Sequence, residues 1–244
     1  MKKERIDQLL LNQGLVPTLE RARALLMAGR VLVGNQPVTK PGALVTGDAQ
    51  VRLKGEELPF VGRGGLKLEA ALETWEIDLK GQLCLDVGAS TGGFSDCMLQ
   101  AGAALVWAVD SGQNQLDQRL RRDRRVICLE KTNFRYAQLE LTGSYVDFAA
   151  VDVSFISLKL ILGPLYGLLV KGGHAVVLVK PQFEAGRGQI GKGGLVEDPL
   201  VRQEVVRQIV EFAQALGFLV RAMRESPIEG KKSGNLETLL WLEK

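Results

Sequence analysis

The sequence is poor in the residues that hold metals and disulfides. It contains one histidine, His174, and three cysteines that form no CxxC pair, Cys84, Cys97 and Cys128. Neither a zinc site nor a disulfide framework can be built from such a set. We therefore expect no metal and free thiols, which are typical of a cytoplasmic protein.

Long apolar runs are equally scarce. The longest uncharged apolar stretch, LILGPLYGLLV at 160–170, is about half of a bilayer span and includes a proline. The N-terminal MKKERIDQLL becomes polar too early for a signal peptide. These features predict no membrane span and no membrane partner.

Neither sign of charge dominates: the chain has 31 Lys and Arg residues and 28 Asp and Glu residues, which gives a net charge of +3. Binding to nucleic acid would therefore depend on local basic patches and not on the global field. The 244 residues, 46% of them hydrophobic, suffice for one large domain and a small module.

Residues 1–60 have the pattern of a small α+β unit. Apolar residues recur at helical spacing over 6–10 and 22–26, and short β-branched runs separated by turn dipeptides follow from residue 31. Basic residues outnumber acidic ones in this part of the chain. The segment GEELPFVGRGG, about 55–65, is rich in glycine and predicts a linker to the remaining domain, 61–244.

The order of RIDQLL, TLERARALLMAGRVLVGNQPV, TKPG and GDAQV resembles the S-four RNA-binding module, named after a ribosomal protein of the small subunit. The resemblance implies that Arg5, Arg21 and Arg23 face RNA phosphates, contacts that position a ligand without reading its sequence. Thr18 stands where the module often has serine, and both residues cap helices. On charge alone, the arginines could equally form a solvated helix surface.

Residues 61–244 alternate predicted strands and helices. Strands are expected at 82–87, 104–110, 126–129, 146–153 and 174–180, and helices at 66–75, 95–102, 158–170 and 199–216. This alternation predicts an α/β fold with a doubly wound, mostly parallel, Rossmann-like sheet. The last two apolar runs, 218–225 and 237–243, are joined by a short polar segment and predict an antiparallel edge.

Charged residues end four of these apolar runs: Asp86, Asp110, Asp152 and Lys180. Ligands of such sheets bind outside the carboxyl ends of the strands, so these side chains are expected to meet at one mouth. Any single one could be merely the first solvated residue after its strand. Four successive cases weaken that alternative.

The turn DVGASTGGF follows the first strand of this domain. A glycine-rich strand-to-helix turn lets the backbone approach a ligand and presents helix amides to it. The G-x-x-x-G-G spacing matches neither the nicotinamide-binding G-x-G-x-x-G nor the phosphate-binding loop that ends in Gly-Lys-Ser/Thr. Asp86 and Asp110 instead suit a ligand with a cationic amino acid part and a ribose diol, which describes S-adenosylmethionine.

The motifs GRGGLKLEAAL, CLDVGASTGGFSDCMLQ, AVDSG, VDVSFISL, VVLVKPQFE and SGNLETLLWL follow the S-four module in this order. Together they resemble the TlyA-type, hemolysin-A-like ribosomal RNA 2′-O-methyltransferases, whose catalytic domain is similar to the FtsJ methyltransferases. The resemblance implies a metal-free catalytic tetrad of Lys67, Asp152, Lys180 and Glu237. It also implies S-adenosylmethionine contacts, beside Asp86, by Gly88, Ala89, Ser90, Thr91, Gly92, Phe94 and Asp110.

Lys180 is an unusual end for a buried strand, since a lone ammonium is costly to desolvate. A ribose 2′-hydroxyl needs its proton removed or its lone pair oriented when it attacks a methyl sulfonium, and a neutral lysine can do this. We expect Lys180 to act as the base, with Asp152 and Lys67 orienting it and the hydroxyl. Glu237 would neutralise the two lysines.

Two other functions stay open at this point. A non-catalytic RNA-binding or ribosome assembly protein could retain the fold, and the family's historical name suggests a membrane-lytic hemolysin, which no amphipathic segment supports. RLRRDRRV at 119–126 could contact RNA or merely suit a helix dipole. The resemblance implies a cytidine of large-subunit RNA as target, and in some members also one of small-subunit RNA. Members with both targets tend to carry extra residues at both ends, whereas this chain starts with RIDQLL and stops after LLWLEK, so we expect a single target.

Overall fold

A computed structural model describes residues 3–34, 36–47, 49, 51–54, 59–228 and 234–244. The chain divides into two compact units, Met1–Glu57 and Leu58–Lys244. Within the described residues, no helix is long and apolar enough to cross a bilayer.

The first unit is a small α+β structure. It begins with strand β1 (Lys3–Arg5), continues with helices α1 (Ile6–Asn12) and α2 (Leu19–Met27), and then has strands β2 (Val31–Val33), β3 (Gln36–Val38), β4 (Leu44–Thr46) and β5 (Val51–Leu53). Strand β2 pairs antiparallel with β3 and β5, and β1 pairs antiparallel with β4. The hydroxyl of Thr18 accepts a hydrogen bond from the Arg21 amide and so caps α2. Buried apolar side chains from both helices and β2 form its core.

The second unit alternates strands and helices over most of its length. Its elements are α3 (Gly64–Thr74), β6 (Leu83–Val87), α4 (Gly93–Gln100), β7 (Leu105–Val109), α5 (Gln118–Arg122), β8 (Val126–Leu129), β9 (Val146–Val151), α6 (Leu162–Leu168), β10 (Leu169–Val179), α7 (Pro181–Glu184), α8 (Pro199–Ala215), β11 (Leu219–Glu225) and β12 (Thr238–Glu243). The strands form one sheet in the order β11-β12-β10-β9-β6-β7-β8.

Strands β10, β9, β6, β7 and β8 are parallel neighbours, which confirms the predicted doubly wound, mostly parallel sheet. The predicted antiparallel edge is also confirmed: β12 lies between β10 and β11 and is antiparallel to both. Leu239, Leu240 and Leu242 of β12 are fully buried, so this strand needs neighbours on both edges. Strand β11 alternates exposed and half-buried residues and tolerates the edge.

The sheet has a separate apolar core on each of its faces. Leu85 and Val87 of β6 pack into one core with α6 and α8, and Cys84 packs into the other with α3 and α4. This alternation follows from the two-residue period of a strand, which points successive side chains to opposite faces. The central strands are therefore apolar along nearly their whole length.

The helix predicted over 158–170 is shorter in the structure. A 3-10 turn covers Leu158–Leu160, α6 covers Leu162–Leu168, and Leu169 already pairs with Val146 as the first residue of β10. The apolar run fits a buried helix and a buried strand equally well, so periodicity could not locate the transition.

Residues 55–58 of the segment predicted as a linker lie outside the described residues. Phe60, beyond them, is 6% exposed. A Cβ on Gly65 would lie 2.3 Å from the Phe60 ring, so the segment that precedes α3 packs closely on the first turn of that helix. Residues 60–65 are therefore part of the packed second unit.

Candidate active site

The chain reverses its progress across the sheet beside β6: β7 and β8 lie on one side of this strand, and β9 and β10 lie on the other. The crevice between the carboxyl ends of β6 and β9 is thus the topological switch point, where open α/β sheets bind ligands. Asp152 directly follows β9, and its amide donates a hydrogen bond to the carbonyl of Val87 at the end of β6.

Lys180 and Asp152 form an ion pair at this crevice. The Lys180 Nζ lies 2.5 Å from Asp152 Oδ1 and donates a hydrogen bond to Ser154 Oγ at 3.0 Å. Asp152 Oδ1 is buried and has no well-aligned hydrogen bond among the described residues, so its contact with Lys180 is primarily electrostatic. The lysine that ends the apolar run AVVLVK is therefore not a lone buried charge.

Lys67 and Glu237 form a second ion pair, although 170 residues separate them. The Lys67 Nζ lies 2.5 Å from Glu237 Oε2, and both side chains are buried. Lys67 comes from the second turn of α3, and Glu237 directly precedes β12. Each charge is compensated by its partner, as burial requires.

Two contacts bring these ion pairs to the same end of the sheet. Val179 pairs with Thr238 in the β10–β12 ladder, which places Lys180 and Glu237 at adjacent positions across the two strands. A Cβ on Gly64, at the start of α3, would lie 3.9 Å from Asp152 Oδ2. The predicted tetrad is therefore assembled from α3 and from the ends of β9, β10 and β12 as two lysine–carboxylate pairs.

The glycine-rich turn packs directly against the backbone of Asp152. Gly88 has a φ of +88°, and a Cβ there would lie 2.4 Å from the carbonyl oxygen of Asp152. Gly92 has a φ of +95°, and a Cβ there would lie 2.2 Å from a methyl group of Leu120. Both positions therefore need glycine for conformation and for space.

Asp110 shapes the same turn from the end of β7. Its Oδ2 accepts a hydrogen bond from the Ser90 amide at 2.8 Å, and its Oδ1 accepts one from the Gly112 amide at 2.7 Å. Ser90 itself is exposed with a left-handed φ of +49°. Each carboxylate oxygen has a second lone pair, so Asp110 could still accept hydrogen bonds from a diol.

The other predicted cofactor residues differ in exposure. Ala89 and Phe94 are buried, and Thr91 is exposed. A Cβ on Gly64 would lie 3.5 Å from the Phe94 ring, so Phe94 packs beneath the start of α3. Phe94 is thus placed to support the wall of the crevice and not to present its whole ring to a ligand.

Asp86 is fully buried at the end of β6. Its Oδ2 accepts hydrogen bonds from the amide and the hydroxyl of Ser95, at 2.8 and 2.6 Å, and so holds the first turn of α4. Burial raises the pKa of Asp86 to about 7, although the Ser95 hydrogen bonds oppose the shift. Among the described residues, nothing donates a hydrogen bond to Asp86 Oδ1.

These features fit a ligand with a positive amino acid part and a ribose. The orphaned oxygen of Asp86 lacks a donor, the glycine turn allows close approach to its backbone, and Asp110 offers oxygen acceptors. The described residues contain no group of three His, Cys, Asp or Glu side chains arranged to hold a metal ion.

In the first unit, two of the three predicted RNA-binding arginines share one carboxylate. Arg5 donates two hydrogen bonds to Asp7, at 3.0 and 2.8 Å, and Arg23 Nε donates one to Asp7 at 3.4 Å. The hydrogen bonds from Arg5 lower the pKa of Asp7, which is fully buried. Both arginines remain about half exposed, and Arg21 is exposed on the same helix as Arg23. Sequence reasoning did not identify Asp7 as their common partner.

Most arginines of the segment 119–126 form ion pairs with nearby acidic residues. Arg119 pairs with Asp117, Arg121 with Glu130, and Arg125 with Asp123. Among the described residues, only the exposed Arg122 and Arg124 of this segment have no partner. These ion pairs favour a structural role for most of the segment.

Phe155 is a site residue that sequence reasoning missed. Its side chain is 88% exposed, its φ is +64°, and its ring centroid lies 5.0 Å from that of Phe183. An exposed aromatic residue in the left-handed region is uncommon, which makes Phe155 a candidate functional residue. The only signal in the sequence was its place inside VDVSFISL, three residues after the assigned motif position Asp152.

The fold and site define a Rossmann-like α/β enzyme domain with two lysine–carboxylate pairs at its switch point. Residues 60–244 match the FtsJ-like methyltransferase family, and residues 4–51 match the S4 domain. The chain belongs to the FtsJ-like methyltransferase family. It is a methyltransferase whose cofactor is S-adenosylmethionine, and the resemblance found in the sequence motifs is confirmed.

Curated relatives span nearly the whole chain. The Bacillus subtilis protein YqxC, provisionally named as an rRNA methyltransferase, is 48% identical over 99% of this chain and 86% of its own length. The Mycobacterium tuberculosis 16S/23S rRNA (cytidine-2′-O)-methyltransferase TlyA is 42% identical over 99% of this chain and 90% of its own. Hemolysin A of Brachyspira hyodysenteriae is 35% identical over 96% and 98%.

Two solved structures are similar in fold to this chain. A Streptococcus thermophilus protein provisionally described as a hemolysin is 48% identical, with a TM-score of 0.77 over 100% of this chain and 89% of its own. An S-adenosylmethionine dependent methyltransferase from Mesorhizobium loti is 14% identical, with a TM-score of 0.52 over 72% and 96%. At that identity, the second likeness concerns the fold alone.

Proposed function

We propose that this methyltransferase modifies a ribose 2′-hydroxyl of ribosomal RNA, with a cytidine as the target nucleoside. The observation that carries the proposal is the two lysine–carboxylate contacts beside the glycine-rich turn, one buried and one partly buried. The relatives named for cytidine 2′-O-methylation of 16S and 23S rRNA support the choice of substrate. Such a substrate places the reaction in the cytoplasm.

When bound, S-adenosylmethionine supplies an electrophilic methyl group on a sulfonium. The side chains that would hold it are Asp86 and Asp110, with the backbone of 88–92 against it. Asp86 Oδ1 is free to accept from an ammonium, and Asp110 can accept from a diol. S-adenosylmethionine has no phosphate group, which agrees with the fact that the glycine spacing of this turn does not match a phosphate-binding loop.

The Lys180–Asp152 pair is placed to take the proton that the ribose hydroxyl loses. An ammonium cannot accept another proton, so the amine of Lys180 must first be neutral. Asp152 Oδ1, 2.5 Å from the Lys180 Nζ, holds the lysine side chain in place for this transfer by electrostatic attraction. Glu237 balances the charge of Lys67, which keeps a second ammonium near the site without a net excess of positive charge.

The first unit would hold RNA for the second. Arg5 and Arg23 are fixed by Asp7 while about half of each side chain stays in solvent, an arrangement that suits phosphate contacts. Binding through phosphates should weaken steeply with salt. We assign residues 1–60 to RNA binding and 61–244 to chemistry.

Lys180 provides the test of this function. Methyl transfer from tritiated S-adenosylmethionine is measured on ribosomal subunits from cells that lack the gene. Lys180→Ala should lower turnover by about 100-fold or more, with cofactor and RNA affinities changed only a few-fold, as expected for loss of a base. Lys180→Arg keeps the charge but cannot deprotonate near neutral pH, so it should be equally inactive.

Each contrary result has its own meaning. Near-normal turnover of Lys180→Arg would show that Lys180 acts only as a positive charge. No label transfer by the wild-type chain to any ribosomal RNA would favour a non-catalytic assembly protein. Ribose methylation mapped in both subunit RNAs, with and without the gene, will show whether the target is the expected large-subunit cytidine or includes the small subunit.

A further inference from the structure

A partly buried hydrogen-bonded contact links the segments that follow β9 and β10 and has no part in the mechanism above. Glu184, the last residue of α7, accepts a hydrogen bond from Ser157 Oγ at 2.6 Å through Oε2. Its Oε1 accepts one from the Leu158 amide at 2.7 Å. The carboxylate therefore joins the segment after β10 to the segment after β9.

These are the two segments that carry the reacting pair. Asp152 and Ser154 lie on residues 152–158, and Lys180 directly precedes α7. The segments meet at three successive levels: Lys180 with Asp152 and Ser154, the Phe155 ring with the Phe183 ring, and Ser157 and Leu158 with Glu184. Only the third level lies away from the exposed Phe155 ring and the ion pair.

The segment 152–158 needs such a restraint. It has no helix or strand hydrogen bonds of its own before the 3-10 turn Leu158–Leu160, and Phe155 holds a left-handed φ of +64°. A bulky residue persists in that conformation only when its surroundings enforce it. Glu184 supplies two charge-assisted hydrogen bonds at the far end of the segment, where they are strong.

The environment of Glu184 supports a geometric role. Burial raises the pKa of its carboxyl group, although the hydrogen bonds from Leu158 and Ser157 and the charge of Lys159 oppose the shift. A half-buried carboxylate is costly unless its partners stay in place. Moving the segment 152–158 away from α7 would remove both donors at once.

We propose that Glu184 is a positioning residue for methyl transfer, which holds the segment 152–158 so that Asp152, Ser154 and Phe155 keep their places beside Lys180. Glu184 touches neither member of the ion pair, so its effect on the reaction is transmitted through this segment. The inference rests on the proposed function, because it assigns Glu184 to the step in which the Lys180–Asp152 pair takes a proton.

The test compares Glu184→Ala, Glu184→Gln and the control Asp147→Ala in the full chain. Asp147 is also a half-buried carboxylate that accepts an amide hydrogen bond from another element, from Leu83 at 2.9 Å, but it lies at the opposite end of β9. Loss of either carboxylate removes a comparable structural contact. Only Glu184 is next to the site.

Kinetics on ribosomal subunits give the first measurement. Glu184→Ala should lower kcat at least tenfold, with KM for the subunit and calorimetric affinity for S-adenosylmethionine within threefold of wild type. Glu184→Gln keeps an oxygen for the Leu158 amide and an amide that can donate to Ser157 Oγ, so its kcat should stay within threefold. Asp147→Ala should leave kcat unchanged. A Glu184→Ala variant with wild-type kcat overturns the proposal.

Amide hydrogen exchange gives a second measurement that needs no activity. In Glu184→Ala, exchange of the hydrogen-bonded amides of Leu158, Leu160 and Ile161 should be at least tenfold faster, and in Asp147→Ala it should be unchanged. Equal protection in Glu184→Ala and wild type overturns the restraint, whatever the kinetics. If the wild-type chain transfers no methyl group, the proposed function fails and the catalytic role of Glu184 fails with it. The exchange result then decides separately whether Glu184 holds the segment.

Discussion

Gly88→Ala should lower the free energy of unfolding, because it disrupts the contact between the glycine-rich turn and the Asp152 backbone. A residue with a Cβ at φ +88° is strained, and a left-handed conformation costs roughly 1–2 kcal/mol. The new Cβ would also lie 2.4 Å from the Asp152 carbonyl oxygen and 2.9 Å from its carbon, which are backbone atoms that cannot rotate away. Overpacking of this kind costs about 1–3 kcal/mol more.

Gly81→Ala is the matched control for this variant. Gly81 also has a left-handed φ, +74°, but a Cβ there would meet nothing within 4 Å. Both substitutions restrict the unfolded chain alike, which offsets each by about 0.4–1 kcal/mol. The free energy of unfolding should therefore fall by about 1 kcal/mol in Gly81→Ala and by about 2–4 kcal/mol in Gly88→Ala, the sum of the terms above less this offset.

The assay is urea denaturation followed by tryptophan fluorescence. Trp75, Trp107 and Trp241 all lie in the second unit, so the signal reports on the unit that contains both glycines. Calorimetry should also find S-adenosylmethionine binding at least tenfold weaker in Gly88→Ala and unchanged in Gly81→Ala. Equal stability of the two variants, together with unchanged cofactor affinity in both, would refute the assignment of Gly88 to this contact.

Three further outcomes follow from the buried carboxylates and the two units. Because burial raises the pKa of Asp86 to about 7, the unfolding free energy should fall as pH rises from about 4 to about 7, and Asp86→Asn should remove that slope in pH-dependent denaturation. Because the pKa of Asp7 is lowered, the stability that it contributes is present above about pH 4 and is lost as pH falls through its folded pKa. Asp7→Asn should thus speed amide exchange in the first unit at pH 7, and the difference from wild type should shrink as pH falls below about 4. A protein that begins at Phe60 should keep its cofactor affinity and lose most of its ribosome affinity, and equal RNA binding would show that residues 1–60 have another role.

Much of the second unit is encoded in local patterns. The short apolar run LCLDV, which precedes a glycine-rich turn, predicts a buried strand, and the helical period of PLVRQEVVRQIVEFAQAL predicts a helix. The alternation of such elements predicts a parallel sheet. Charged strand ends could be assigned to one mouth because parallel strands all finish on the same side. The prediction was wrong where one pattern fits both a helix and a strand, as in the apolar run 158–170.

Pairing between distant residues was decided by the tertiary structure. The order of motifs implied four charged residues, but nothing local shows that Lys67 pairs with Glu237, 170 residues away, while Lys180 pairs with Asp152. Those partners follow from the insertion of β12 beside β10, which depends on the burial of its leucines on both faces.

The sequence by itself therefore determined the kind of elements, their order and the residues that end each strand. The tertiary structure decided which carboxylate compensates which lysine, that Asp86 is buried with one oxygen to which no described residue donates a hydrogen bond, and that Glu184 joins the segments behind the ion pair. The physical reason is the range of the forces involved. Backbone periodicity acts over a few residues, whereas desolvation of a charge depends on every element that packs around it.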